Sequence, residues 1–218
     1  MLMLAVAENT AASTIEQNPV TGFLESVGLD GRGAVVHVTD MGPMHGTVTV
    51  AVSSGEGSEP RLSISENGDT SVIWVDAGGN ILYRKQEVFT QSWSSVLTVT
   101  SDAVAGTRAA LVAAGDTAWV AYEVEDAGDR EIEEAEIIDS AEPFLKSPVE
   151  IINGSQDADL RLFHEAGIVW VTWCDSATQI GWSEEDSSGV WSIGQTMTFD
   201  PADPGPTYVA IQDAVLAP

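Results

Sequence analysis

Two stretches of this chain, residues 68–93 and 167–191, lie over one another almost residue for residue. They read GDTSVIWVDAGGNILYRKQEVFTQSW and GIVWVTWCDSATQIGWSEEDSSGVW. Trp74 falls on Trp173, Asp76 on Asp175, Ile81 on Ile180 and Tyr83 on Trp182. After a one-residue deletion Trp93 falls on Trp191. Each copy holds short apolar runs separated by polar turns, which is how short antiparallel strands read. Such a repeat constrains the fold strongly, because no unit can cover both its faces without neighbours.

The same order recurs along the chain, in units at residues 56–102, 103–155 and 156–203, with a shortened first unit at 20–53. A short first strand falls at 60–64, 107–112 or 160–163, and a turn follows at Gly68, Gly115 or Gly167. The second strand carries Trp74, then Trp119 and Tyr122, then Trp170 and Trp173. The third centres on Ile81 and Tyr83, on Ile132, or on Ile180 and Trp182. The fourth begins near Trp93, Phe144 or Trp191. The first unit shows strands at 23–27, 34–39 and 47–52 and no Trp-bearing fourth strand. Gly68 to Gly115 is 47 residues and Gly115 to Gly167 is 52.

A period near fifty with four short strands per unit is expected of an all-β, propeller-like array of four-stranded antiparallel blades. The reading is a single domain over residues 1–218, with four to five sequential repeats and incomplete or irregular closure. Residues 204–218 form a partial fifth repeat, with its first strand at 205–212, which residues 1–18 complete. A second copy closing the ring, through self-association of unpaired terminal strands, is the other possibility. A β-sandwich with strands every ten residues would not reproduce the positions of the Gly, Trp and Asp.

Thirty-four acidic residues stand against eight basic ones, a net charge of −26. That balance repels phosphate backbones and anionic lipid, so nucleic acid is excluded as a partner. It reads as a solubility device, with cation collection as the functional alternative. No apolar run is long enough for a membrane span. The opening MLMLAVA is compatible with the tail of a secretion signal ending near Ala7 and equally with a strand. An extracellular or cell-surface placement is preferred to the cytoplasm. Cys174, alone, cannot form an internal disulfide and reads as a small strand residue. No phosphate-binding Gly loop, paired Cys or His-rich motif is present, so no cofactor and no metal site is expected.

Arg61, Arg108 and Arg161 precede the turn glycines by seven, seven and six residues. In a propeller the first strand of each blade lines the central channel, which brings three of the eight basic residues together there. Guanidinium forks suit carboxylates, so the expectation is a ligand site for a small anionic group or sugar acid at the channel mouth. Tyr208 occupies the corresponding place in the fifth repeat. The plainer reading pairs each Arg with a nearby carboxylate such as Glu59, Asp157 or Asp159.

The pattern of short strand, Gly turn, V-x-W-x-D, I-x-Y/W and final Trp over residues 56–203 resembles the repeats of sialidase-like propellers and related bacterial repeat proteins. Residues 183–191, SEEDSSGVW, are similar to the Asp-box turn of that group, with a shifted Ser183 and altered Gly spacing. The resemblance implies that Asp186 is a structural turn residue. A sialidase-like activity would imply an Arg triad, imitated by Arg61, Arg108 and Arg161, and a Tyr nucleophile, imitated by Tyr208, but also a longer chain of six blades.

Tyr83 and Trp182, with Trp93 and Trp191, also resemble the aromatic positions of propeller lectins, where rings stack on sugars; blade packing is the competing role. Residues 123–142 carry ten carboxylates and one Arg and read as a solvent-exposed hairpin rather than a calcium loop. The function expected is a non-catalytic recognition or scaffold module, binding carbohydrate or a small anionic group. A glycoside-hydrolase relative and a structural assembly module are the alternatives.

Overall fold

The computed structural model describes residues 14–198 except 43–44, 105–107, 127–128, 139–142, 147–148, 154–159, 177–178, 187–188 and 193. The strand expected at residues 2–7, the fifth-repeat strand at 205–212 and Tyr208 lie outside the described residues. The described chain is all β, and its strands group into four successive antiparallel blades.

The first blade runs β1 (Ile15–Gln17), β2 (Leu24–Leu29), β3 (Ala34–Asp40) and the first half of β4 (Thr47–Ile64). The second half of β4 opens the second blade, followed by β5 (Thr70–Asp76), β6 (Ile81–Gln86) and β7 (Leu97–Thr100). β4 changes partner near Gly57, pairing Ala34 with Glu56 and then Gly57 with Asp76. A Cβ at Gly57 would sit 2.7 Å from Val35 and 2.9 Å from Trp74, so only glycine lets the two sheets meet that closely.

The third blade comprises β8 (Ala110–Ala114), β9 (Thr117–Asp126) and β10 (Asp129–Ile138), with β11 (Phe144–Leu145) and β12 (Val149–Asn153) sharing the outer edge of β10. The fourth is β13 (Arg161–Glu165), β14 (Ile168–Ser176), β15 (Gln179–Glu185) and β16 (Gln195–Thr198). The inner strands β1, β4, β8 and β13 touch in that order. They are stitched by Ile64 N donating to Glu16 (2.9 Å) and Ala113 N donating to Ser63 Oγ (3.0 Å).

The first blade departs from its sequence reading. Its outer strand is present, supplied by residues 47–56, and the strand without a counterpart in the reading is the inner one, β1. A fourth strand without a Trp is hard to recognise, and β4 hides two strands in one unbroken run.

Three apolar cores lie between successive blades. Val27, Val35, Val72 and Trp74 fill the first seam, and Ile73, Ile81, Tyr83, Val120 and Ile137 the second. Ala121, Ile132, Leu162, Val171 and Trp173 fill the third. Alternation along each strand sends one side chain to the preceding blade and the next to the following blade, so the central strands are buried on both faces. Trp74 and Trp173, matched in the sequence, both point to the preceding blade.

One turn recurs. In Asp30–Ala34, Asp76–Asn80 and Asp186–Val190 the Asp N bonds the fifth residue's carbonyl and a Gly in the left-handed region closes the loop. In the first two the Asp Oδ1 accepts from two backbone N–H groups; in the third it accepts from Val190 N at 3.2 Å. Asp186 is therefore a turn residue.

Candidate functional site

Strand direction puts the turns between first and second strands, and between third and fourth, at one end of every blade. That end carries the exposed apolar residues Val20, Phe89, Phe144 and Val190, with Phe89 87% exposed. The opposite end carries the polar turns Asp30–Ala34 and Asp76–Asn80, whereas Asp186–Val190 belongs to the first end. The buried polar clusters of the seams also lie toward the first end.

The repeat explains how those clusters are positioned. On the third strand, the residue two after the apolar anchor (Val35, Ile81, Ile132, Ile180) faces the following blade. It is His37 in the first blade, Tyr83 in the second, Glu134 in the third and Trp182 in the fourth. Opposite the first and third of these, the next blade brings the Trp that opens its fourth strand, Trp93 or Trp191. Each Trp is anchored identically. It bridges the end of the third strand (Gln86 or Glu185), and the Ser after it accepts from a backbone N–H through its hydroxyl, Lys85 N to Ser94 (3.1 Å) and Glu184 N to Ser192 (3.1 Å).

The first seam is filled by the protein itself. Buried Glu25 accepts from Asn18 Nδ2 (2.6 Å) and Thr70 Oγ1 (2.6 Å), and its Oε2 lies 2.9 Å from His37 Nε2. Burial opposes ionisation of Glu25, but these hydrogen bonds outweigh it and hold the carboxyl below its ordinary value. His37 meets Trp93 edge-on at 5.5 Å. On the far side of Trp93, Arg84 is fixed to Ser94 O (2.6 Å) and Val52 O (2.9 Å) with its guanidinium 5.7 Å from the ring. Glu25, His37 and Arg84 are thus partnered within the chain, while the buried Trp93 indole nitrogen makes no hydrogen bond.

The third seam differs. Glu134, 2% exposed, sits between blades with Glu185 and Glu136 near it. Burial, and after it the charge of Glu185, push its carboxyl up to about 8. Glu185 is raised as well, by burial and by Glu136. Lys146, half exposed on the short outer strand's flank, places its ammonium 2.5 Å from Glu136 Oε1. The Trp191 indole leans on Glu134 and the Trp119 indole on Glu185, each tempering the rise. Yet Glu134 Oε1 and the indole nitrogens of Trp119, Trp191 and Trp173, all buried, make no hydrogen bond. His164 stacks on Trp119 at 5.6 Å and 13°. Three buried N–H donors and a carboxyl acceptor thus share one seam without full hydrogen-bond geometry, Trp191 and Trp119 keeping only a weak approach to Glu134 and Glu185; a buried group left wholly unmet would cost about 1–3 kcal/mol.

Of these residues Trp191 was singled out in the sequence as a lectin-like aromatic position and Trp119 as a repeat position, whereas Glu134, Glu136, Glu185 and Lys146 were not. The described part of the acidic stretch at 123–142, expected to be solvated, lies in the central strands β9 and β10 of a blade, with Glu123, Glu131 and Glu134 buried and Ile132 fully so. Val124, Ala135 and Ile137 on one face and Ile132 on the other are covered by neighbouring blades. The available signal was Glu134, a carboxylate where the equivalent strands carry an aromatic ring.

Of the residues that were singled out, Tyr83 is fully buried with its hydroxyl 3.0 Å from Ser71 Oγ, a packing position with no open ring face. Trp182 is half buried on the face of the fourth blade turned away from the third. Arg61, Arg108 and Arg161 each directly precede a residue packed toward the preceding blade, Leu62, Ala109 or Leu162. Arg61 is half buried with Glu59 at 3.9 Å, whereas Arg108 and Arg161 are exposed. None adjoins the third-seam cluster through a described contact. Among the described residues no group of three metal-ligating side chains is arranged to hold an ion, and no helix is long and apolar enough to cross a membrane.

No protein-family model and no curated protein matches the sequence. Solved structures match it throughout. A fucose-recognising fungal lectin from Aleuria aurantia, a six-bladed β-propeller, superposes with a TM-score of 0.58 at 15% identity, covering 89% of this chain and 62% of the lectin. An endo-1,4-β-xylanase from Bacteroides thetaiotaomicron gives 0.52 at 12% identity, covering 88% and 77%. An ulvan lyase gives 0.53 at 12%, covering 91% and 59%. The chain therefore has a β-propeller fold and spans about three fifths of the length of the lectin chain it matches. Likeness at this identity defines the fold and leaves activity to the site.

Proposed function

We propose that the chain is a non-catalytic carbohydrate-recognition module, and that it holds its ligand in the seam between the third and fourth blades. The observation that carries this is the set of buried, unpartnered hydrogen-bonding atoms there: the indole nitrogens of Trp119 and Trp191 beside Glu134 Oε1. Donors, acceptors and flat apolar rings in one seam are what a sugar, with its hydroxyls and its C–H face, can satisfy together. The lectin neighbour is a recognition protein of the same fold, which supports the reading.

The hydrolase alternative draws on the same cluster, because a carboxyl pushed up to about 8 is the usual mark of a general acid. Both readings need the seam to open to its ligand, because Glu134 is 2% exposed, and a general acid must in addition be held against the leaving oxygen, a demand that recognition does not make. Recognition is the better reading. The three inner-strand arginines remain a second, separate candidate site for an anionic group, favoured by their shared place in the repeat. The charge-removing variant Arg108→Gln would abolish anion binding there and leave the seam unaffected.

A glycan array probed with the whole chain tests the main proposal, followed by Trp191→Phe, which keeps an aromatic ring, though a smaller one, and removes the N–H. Binding to a defined glycan set that weakens about tenfold in the variant, one hydrogen bond's worth, is expected. An array with no binding above background overturns the proposal.

A further inference from the structure

The chemistry of the third seam goes further than sugar binding in general. Around Glu134 the charged groups are Glu136 and Glu185, with Asp186 beside the last, and the Lys146 ammonium; Glu123 and Arg130 pair with each other further along the seam. A sulfated or uronic sugar brought there would add like charge to carboxyls that already crowd one another. A neutral sugar would satisfy the indoles but leave the excess negative charge as it stands.

Lys146 shows what the cluster accepts. It is one of only two lysines in the chain, it is 50% exposed, and its Nζ reaches Glu136 at 2.5 Å from the end of the two-residue strand Phe144–Leu145. A long, half-exposed side chain at a blade edge can leave its carboxylate with little loss, since exposed ion pairs contribute only about 0–1 kcal/mol. The first seam offers the contrast. Its carboxylate, Glu25, has all its partners built in. In the third seam Glu134 has only the Trp191 indole beside it, its Oε1 makes no hydrogen bond, and the nearest ammonium comes from the rim.

We infer that the seam selects sugars carrying a free amine, whose ammonium takes the place of the Lys146 ammonium at the glutamate cluster while the ring hydroxyls bond the Trp119 and Trp191 N–H groups. The indole faces add a cation–π contribution. This rests on the reading of the seam as a sugar site and adds the chemical class of the sugar.

Calorimetric titration of the whole chain with three matched oligosaccharides separates the claims: β-1,4-linked glucosamine, its N-acetylated form and the glucose oligomer of the same length. The amine-bearing oligomer should bind at least about tenfold more tightly than the other two, the equivalent of one charge-assisted hydrogen bond. Lys146→Met should tighten it several-fold further, and Glu136→Gln should cancel the preference, while exposed Glu56→Gln on the first blade leaves it unchanged. Equal binding of the N-acetylated or glucose oligomer, weaker binding by Lys146→Met, or an equal loss in Glu56→Gln from general charge attraction would each overturn the inference. Neutral sugars bound with dependence on Trp191 but no amine preference would remove the inference and keep the proposed function. Failure of every glycan would remove both.

Discussion

Replacing Glu134 by Gln tests the energetics of the third seam without changing its shape. Glu134 is 2% exposed and its carboxyl is pushed up to about 8, by burial first and by the charge of Glu185 second. The unfolded chain releases that proton near 4.5. Between these values the folded protein binds more protons than the unfolded, so stability falls as pH rises through the window and levels off above pH 8. A shift of about 3.5 units corresponds to about 5 kcal/mol at most, comparable with the whole stability of a small domain. Gln cannot ionise, so Glu134→Gln should resemble the wild type at pH 5 and exceed it by several kcal/mol at pH 9. Urea unfolding at pH 5, 7 and 9 reads this directly. Parallel pH profiles for the two proteins would show that Glu134 is not held protonated and would refute the reasoning.

Other expectations follow from the packing. Gly181→Ala places a Cβ 2.1 Å from the Trp173 ring, itself 1% exposed; overpacking should cost about 1–3 kcal/mol, seen as a lower urea midpoint with altered near-ultraviolet dichroism. Glu25→Ala strands Asn18, His37 and Thr70 and should cost about 3 kcal/mol. Because the folded Glu25 carboxyl lies below its ordinary value, its stabilisation is present above about pH 4.5 and lost as pH falls through the folded value; acid-unfolding curves of wild type and variant should therefore converge at low pH. Asp76→Ala removes the acceptor for Gly78 N, Asn80 N and the Asn80 side chain. At that exposed turn the loss should be about 1 kcal/mol, checked by thermal unfolding.

The architecture was legible because it repeats. Glycine turns, the second-strand Trp and the Trp–Ser anchor recur at a near-constant period, and strand alternation fixes which face each residue presents. The run from Thr47 to Ile64 was harder to divide, since nothing in a continuous β-prone sequence marks where a strand changes partner. Gly57 is the only clue, and its role emerges from the approach of Val35 and Trp74. The seam cluster was illegible for another reason. Ten carboxylates in twenty residues look solvated, and only the pairing of Glu134 with Ala121 and Val149 shows that it faces another blade. Trp119 and Trp191 were seen as repeat grammar, and Trp191 also as a lectin-like ring; the groups their N–H donors face, Glu185 and Glu134, lie 66 and 57 residues away and cannot be read locally. The arginines drew notice because they are rare and periodic, properties that locate them without giving them a ligand.

The central claim, that sugar is held by the indole N–H groups of the third seam, is tested most directly by following the tryptophan side-chain N–H resonances of the ¹⁵N-labelled chain during titration with a glycan identified on the array. The signals of Trp119 and Trp191 should shift together and saturably, while that of Trp74, packed in the first seam, stays in place. Binding that leaves Trp119 and Trp191 unmoved would contradict the account.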